Sequence, residues 1–214
     1  MRLFSKGIDS SYSLWGKVIK RKYGTFQLIR WVKNGFLSPS PQIVKTKLLK
    51  HSGILGAPWL ETGTYLGDTA RTLARLRVPI TTIEPSEKLF NFSKKRLNKF
   101  VNVNSLMGSS EELFMNSLTQ LKPRVNIWLD GHYSGDVTFK NEIDTPIRYE
   151  LKCIAENLEQ FSEVMLFIDD ARCFYHNTDN NKSYPKLDHL IEWARQNKCT
   201  WRIEQDIFIA KWVR

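Results

Sequence analysis

Long apolar runs are missing from this sequence. None approaches the roughly 18 residues that a membrane-spanning helix needs, and the opening MRLFSKGIDSSYSLWG lacks the continuous apolar core of a secretory signal. A cytoplasmic location is the expectation, with peripheral contact at a membrane left open. Cysteine is scarce. Cys153, Cys173 and Cys199 are odd in number and share no CxxC or finger spacing, which argues against a disulfide frame and a zinc site. Acids are nearly absent from the first quarter: residues 1–50 carry 11 Lys/Arg against Asp9 alone, whereas residues 51–214 carry 21 Lys/Arg and 21 Asp/Glu. The whole net charge of +10 therefore sits at the N-terminal end.

That basic quarter interleaves Trp15, Tyr23, Phe26, Trp31 and Phe36 with its cations. Such a stretch suits an anionic membrane surface, a phosphate-bearing partner or a cover over a cleft; it equally suits a pair of amphipathic helices with a solvated basic face. With 42% apolar residues in 214, the remainder can bury one sizeable core. The division expected is residues 1–38 as a basic helical extension or lid and residues 39–214 as one domain.

From residue 39 helical and strand patterns alternate, the mark of a parallel sheet covered by helices on both faces. SPSPQIVKTKLLKHSG reads as a helix of about three turns carrying Ile43, Val44, Leu48 and Leu49. Strands are expected at Trp59–Thr62, Ile80–Glu84, Val101–Leu106, Asn126–Asp130, Val164–Asp169, Thr200–Glu204 and Ile207–Trp212. Helices at Asp68–Leu76, Ser86–Lys99, Ser109–Gln120, Thr145–Asn157 and Tyr184–Asn197 fit between the first six. Only the last two strands have a link short enough for a hairpin, around Gln205 and Asp206, so the final strand should run antiparallel. The class is thus α/β, with seven strands.

In such a sheet the first strand-to-helix turn is the usual cradle for a nucleotide. Here it is ETGTYLG, residues 61–67, with Gly63 and Gly67 allowing a close backbone approach. It departs from GxGxxG and from a loop closed by GKS or GKT, which disfavours a dinucleotide or a triphosphate. The second strand ends in Glu84, placed to accept the two hydroxyls of a ribose. The third runs into MGSSEELF, the fourth ends in WLDGHYSG and the fifth in FIDDARCF. Asp130, Asp169 and Asp170 should therefore meet on one rim. Three carboxylates there are unfavourable without a cation, and oxygen ligands of this kind suit Mg²⁺.

ETGTYLG, TIEPSEKL, MGSSEEL, WLDGHYSG and FIDDARCF, in that order, resemble the class I S-adenosylmethionine-dependent methyltransferases. The branch they resemble most contains catechol O-methyltransferase and the macrolide-sugar O-methyltransferases, over roughly residues 40–214. The resemblance implies a Rossmann-like doubly wound sheet and S-adenosylmethionine as cofactor. Glu61, Gly63, Thr64, Tyr65, Gly67 and Thr69 would hold the methionine end and Glu84 the ribose. Gly108, Ser109, Ser110 and Glu111 would border the adenine, with Asp130 beside the cofactor and Asp130, Asp169 and Asp170 on Mg²⁺. Each has a plainer role open to it: Glu84 as a helix cap, Ser109 with Glu112 as a capping box.

Methyl transfer needs an in-line, deprotonated nucleophile. His132 is the candidate base, Asp130 lies beside it and Tyr133 offers a hydrogen-bond donor. The lysine that catechol-type enzymes carry in this neighbourhood has no counterpart in residues 131–139. The polar loop GHYSGDVTFKNEID, residues 131–144, should line the acceptor site. A hydroxyl of a small molecule or glycan is the expected acceptor. A nucleic-acid methyltransferase would account for the basic arm but lacks an NPPY-like sequence, and a non-catalytic module would leave the rim acids unexplained. Oligomeric state is open.

Overall fold

The computed structural model describes residues 14–131, 145–175 and 184–214, without the side chains of residues 14–23. Its elements in chain order are α1 Leu14–Lys33, α2 Gln42–Ser52, β1 Trp59–Thr62, α3 Asp68–Leu73, β2 Ile80–Glu84, α4 Glu87–Leu97 and β3 Val103–Met107. There follow α5 Ser110–Thr119, β4 Arg124–Leu129, α6 Ile147–Asn157, β5 Glu163–Ile168, α7 Leu187–Gln196, β6 Thr200–Glu204 and β7 Ile207–Val213.

The seven strands form one sheet in the order β3-β2-β1-β4-β5-β7-β6. All pairs from β3 to β5 are parallel, and β7 runs antiparallel to both β5 and β6. The chain works outward from β1 to β3 and then restarts on the other side with β4, so the strand order reverses between β1 and β4. That gap is where a ligand of such a sheet sits. The hairpin between β6 and β7 turns on Gln205 and Asp206, both at positive φ (54° and 65°). Two consecutive left-handed residues are what a two-residue turn matched to strand twist requires.

Alternation along the central strands feeds two cores. On one face Ile127, Leu129, Val164, Leu166 and Ile168 pack with Phe114, Leu118, Leu151, Ile154, Leu190 and Trp193 from α5, α6 and α7. On the other, Trp128, Met165 and Phe167 pack with Leu48, Leu49, Leu73 and Ala74, from α2 and from α3 with its short 3-10 continuation. Strands buried on both faces read as near-continuous apolar runs, as VMLFI does, whereas WLET buries the polar Glu61 and Thr62 as well.

The buried stripe of α2 differs from the sequence expectation. Leu48 and Leu49 are buried, but Ile43 is 61% exposed, and Lys45 and Thr46 take the inward positions one helical turn before the leucines. Ahead of α2 the described residues hold the helix α1, with Phe26, Ile29 and Val32 exposed and Trp31 edge-on to Phe36 at 4.9 Å. No helix among the described residues is long and apolar enough to cross a membrane.

Candidate functional site at the carboxyl edge of the sheet

The acids expected at the strand ends do converge. Glu61 near the end of β1, Glu84 closing β2, Asp130 after β4, and Asp169 and Asp170 after β5 all lie at the carboxyl edge, on either side of the strand-order reversal. Glu61 is 1% exposed, and its Oε2 accepts from Thr82 Oγ1 at 2.5 Å. Thr82 Oγ1 lies 2.5 Å from Thr64 Oγ1, so the Thr64 hydroxyl serves this buried chain. Burial pushes the Glu61 carboxyl up to about 8, against the pull of the Thr82 hydrogen bond.

The turn after β1 is built from three left-handed residues, Gly63, Tyr65 and Gly67 (φ 78°, 49° and 73°). Its inner wall is protein: a Cβ on Gly63 would stand 2.2 Å from the Asp130 carbonyl oxygen, so glycine lets the turn lie against the end of β4. Tyr65 N donates to Glu84 Oε2 at 2.7 Å and Ser86 N to Glu84 Oε1 at 3.0 Å, which locks the turn to the end of β2. Burial raises the Glu84 carboxyl above its usual range, and these two N–H groups oppose the rise. From outside, the Arg96 guanidinium of α4 donates to the Leu66 carbonyl and, at 2.7 Å, to Asp68 Oδ1.

Beyond β3, Gly108 N donates to the Glu84 carbonyl at 3.2 Å, so the third strand end adjoins the second. Ser109 and Glu112 form the capping box of α5. Ser110, expected beside a base, turns its hydroxyl inward and donates to Glu150 Oε1 of α6 at 2.7 Å. Any contact of Ser110 with a ligand there falls to its backbone.

Burial holds the Glu150 carboxyl up at about 7. Below about pH 4.5 both folded and unfolded chains carry this proton; between there and pH 7 only the folded chain does, so stability falls as pH rises through that window. Glu150→Gln keeps the acceptor for Ser110 and adds a donor toward buried Thr62 Oγ1, which has no hydrogen-bond partner of standard geometry. The variant is expected to match wild type at pH 4.5 and to exceed it by about 3 kcal/mol at pH 8 in urea unfolding; equal stability at both pH values would contradict a neutral Glu150.

The acid pair after β5 contains the largest departure from expectation. Asp169, 4% exposed, and Asp170, in the left-handed region at φ 53°, both direct Oδ1 at Lys45 of α2, whose ammonium lies 2.5 Å and 2.8 Å away. Arg172 adds a second cation, 2.7 Å from Asp170 Oδ1 and paired also with Asp206. Burial alone would lower Lys45, but the two carboxylates win and hold its ammonium above the usual lysine range. Asp169 rises to about 6, through burial against the pull of Lys45. Asp130 is raised well above an ordinary aspartate by burial and by the charges of Asp169 and Asp170.

A magnesium ion on Asp130, Asp169 and Asp170 does not fit this donor set. Two of the oxygens that would bind it, Oδ1 of Asp169 and Oδ1 of Asp170, already converge on an ammonium, and a dication inserted there would face Lys45 and Arg172 at contact distance. Among the described residues no group of three His, Cys, Asp or Glu is arranged to hold a metal. His132 and Tyr133, with most of the loop to residue 144, lie outside the described residues.

Sequence reading missed Lys45, Arg96, Arg172 and Gln42. Gln42 of α2 donates from Nε2 to Thr69 Oγ1 at 2.8 Å. The first turn of α2 therefore reaches both the start of α3, just past the glycine turn, and the acid pair.

This architecture has known counterparts. An O-methyltransferase from Bacillus cereus, solved with S-adenosylhomocysteine, superposes with TM-score 0.54 at 16% identity, covering 89% of this chain and 90% of that one. A Staphylococcus aureus structure provisionally assigned as a caffeoyl-CoA O-methyltransferase gives 0.55 at 14% identity, covering 86% and 90%. The chain has the Rossmann-like methyltransferase fold. The same fold carries the 23S rRNA methyltransferase ErmE, at TM-score 0.50 and 12% identity over 81% of this chain and 68% of that one. No protein-family model and no curated protein matches the sequence.

Proposed function

We propose that this chain is an S-adenosylmethionine-dependent methyltransferase that methylates a hydroxyl of a small molecule or glycan. The observation that carries the reading is the edge itself: Glu61, Glu84 and Asp130 around the strand-order reversal of a methyltransferase fold, joined by the left-handed turn at residues 63–67. The cofactor is a cation at its sulfonium and its amino group, and a rim of buried carboxyls is suited to it. Glu61 and the turn take the methionine end, with Thr69 nearby. Glu84 takes the ribose hydroxyls, and the backbone of Gly108, Ser109 and Ser110, with Glu111, borders the adenine. The two O-methyltransferase-like neighbours are the support for oxygen as acceptor, and the ErmE likeness makes a nucleic-acid base the second reading.

In the transfer, the acceptor oxygen attacks the methyl carbon in line. Bound S-adenosylmethionine would supply the methyl group, the electron pair of its carbon–sulfur bond staying on sulfur as the carbon–oxygen bond forms, and the hydroxyl proton would pass to a base that follows β4 in the chain. Asp130 and His132 are the residues proposed for that proton, with Tyr133 as a donor to the acceptor. An aspartate raised by burial and by neighbouring acids is a better base than an ordinary one. The basic segment before residue 39 is assigned to covering the cleft or meeting an anionic acceptor or membrane surface.

Calorimetry of the full chain with S-adenosylmethionine tests the reading. Glu61 is protonated in the free protein below about pH 8, and a bound cation favours its ionised form. Binding is then expected to release a proton, and affinity to rise between pH 6 and 7.5, by at most about tenfold per unit. Absence of cofactor binding would end the proposal. A nucleic-acid methyltransferase, which the basic N-terminal quarter and the ErmE likeness keep in view, would instead bind RNA with a steep salt dependence.

A further inference from the structure

We propose that Lys45 is a built-in cation at the acceptor side of the cleft: its ammonium takes the position between Asp169 and Asp170 that a divalent ion would otherwise fill, and the site works without metal. The inference rests on the methyltransferase reading and specifies the chemistry of that same site.

Three observations carry it. Lys45 reaches the pair from a separate element, 124 residues away in sequence, and its ammonium makes two hydrogen bonds to carboxylate oxygens at 2.5 Å and 2.8 Å. The residue is 5% exposed, and the helix that carries it is fixed one turn later by buried Leu48 and Leu49. A lysine is not placed in such a position by surface chance: an ammonium removed from water needs partners, and here both partners are acids that themselves need a cation. Finally, Gln42 ties the same helical turn to Thr69 of α3, and Ser40 Oγ donates to Gln205 Oε1 at 2.9 Å. The cation is thus mounted on a strap anchored both at the first strand-to-helix connection and at the last hairpin.

The consequence is a functional distinction. A metal brings open coordination positions and can bind the acceptor oxygen directly. An ammonium brings fixed charge and directional donors. It can hold the acid pair and steady negative charge developing nearby, but it offers no coordination site. Lys45 is accordingly a positioning residue that sets the geometry of Asp169 and Asp170 next to Asp130. Its replacement should convert a charge-satisfied pair into one that seeks a cation from solution.

Titration with Mn²⁺, followed through the paramagnetic signal of the free aquo ion, reads this directly without any methyl acceptor. The full-length wild type and Lys45→Arg are expected to leave Mn²⁺ free. Lys45→Met should bind it at least roughly tenfold more tightly, because buried Asp169 loses the Lys45 cation and Asp170, of these two cations, keeps only Arg172. Lys45→Gln makes the same comparison if the methionine variant does not fold. Wild type that binds Mn²⁺ and loses it in Asp170→Asn would overturn the proposal, as would a lysine variant with affinity no greater than wild type. S-adenosylmethionine titrated into the same samples separates the two ideas: no cofactor binding sinks the methyltransferase reading, whereas cofactor binding together with Mn²⁺ binding by wild type sinks only the role of Lys45.

Discussion

Glu84→Ala is expected to weaken S-adenosylmethionine binding by about two to three orders of magnitude. The carboxylate is 3% exposed at the end of β2, and its oxygens already accept Tyr65 N and Ser86 N. Each carboxylate oxygen keeps a second lone-pair direction, the one left for a ribose hydroxyl. Hydrogen bonds to a charged group contribute about 1.5–3 kcal/mol apiece, so losing two is worth about a hundredfold or more in dissociation constant. The variant also leaves Tyr65 N without its acceptor, and the left-handed turn loses its tie to β2. Glu84→Gln separates these effects. Its one remaining oxygen can serve Tyr65 N or Ser86 N but not both, so an intermediate loss is expected. Exposed Glu87, three residues on, is the control, and Glu87→Ala should leave affinity unchanged. Calorimetry that found Glu84→Ala within about threefold of wild type would move the nucleoside away from β2 altogether.

The strand ends that carry these acids were legible because each is written locally. An apolar run ending in an acid and followed by turn residues fixes both the strand and its carboxyl end. Trp59–Thr62, Ile80–Glu84 and Thr200–Glu204 appear as read, and a link of two residues between the last strands left only a hairpin. Where boundaries moved, the deciding interaction was not local. β4 begins at exposed Arg124, two residues before the apolar pattern, because Arg124 pairs with Glu163 of β5 across the sheet. β3 starts at Val103 instead of Val101, whose side chain is fully exposed.

The same division applies to the site. Glu61, Glu84, Asp130, Asp169 and Asp170 could be placed on one edge from order alone, since every strand from β1 to β5 points the same way. Their cation could not. Lys45 sits in QIVKTKLLK among lysines that face solvent, and a polar residue on the leucine face of α2 is a weak signal until the partners 124 residues later are known. Hydrophobicity favoured Ile43 for the inward face. The ion pairs and the Gln42–Thr69 hydrogen bond set the helix rotation the other way. Arg96, 30 residues from the turn it braces, was hidden for the same reason.

Gly63→Ala is expected to remove about 3 kcal/mol or more of stability and to abolish cofactor binding with it. Two effects combine. At φ 78° an alanine is strained by about 1 kcal/mol before any contact is made. Its Cβ would then lie 2.2 Å from the Asp130 carbonyl oxygen, 2.6 Å from the Asp130 carbonyl carbon and 2.9 Å from Gly131 N. All three are backbone atoms, so no side chain can swing aside. Either the turn lifts off or the end of β4 shifts, and that end is held by the hydrogen bond from Asp130 N to the Thr62 carbonyl at 3.1 Å. Both movements disturb the cleft, because the turn carries the proposed methionine contacts and Asp130 the proposed base. Gly56→Ala isolates the conformational part, since that glycine has a similar φ of 75° with nothing within 4 Å of the added carbon, and a loss of about 1 kcal/mol is expected there. Gly67→Ala should fall between, because its neighbours at 3.3 Å are the Leu97 and Ser93 side chains, which have some room to yield. Urea unfolding of the three variants ranks these costs. If Gly63→Ala lost no more stability than Gly56→Ala, the turn would not be pressed against β4, and the acids on either side of the strand reversal would not share one cleft.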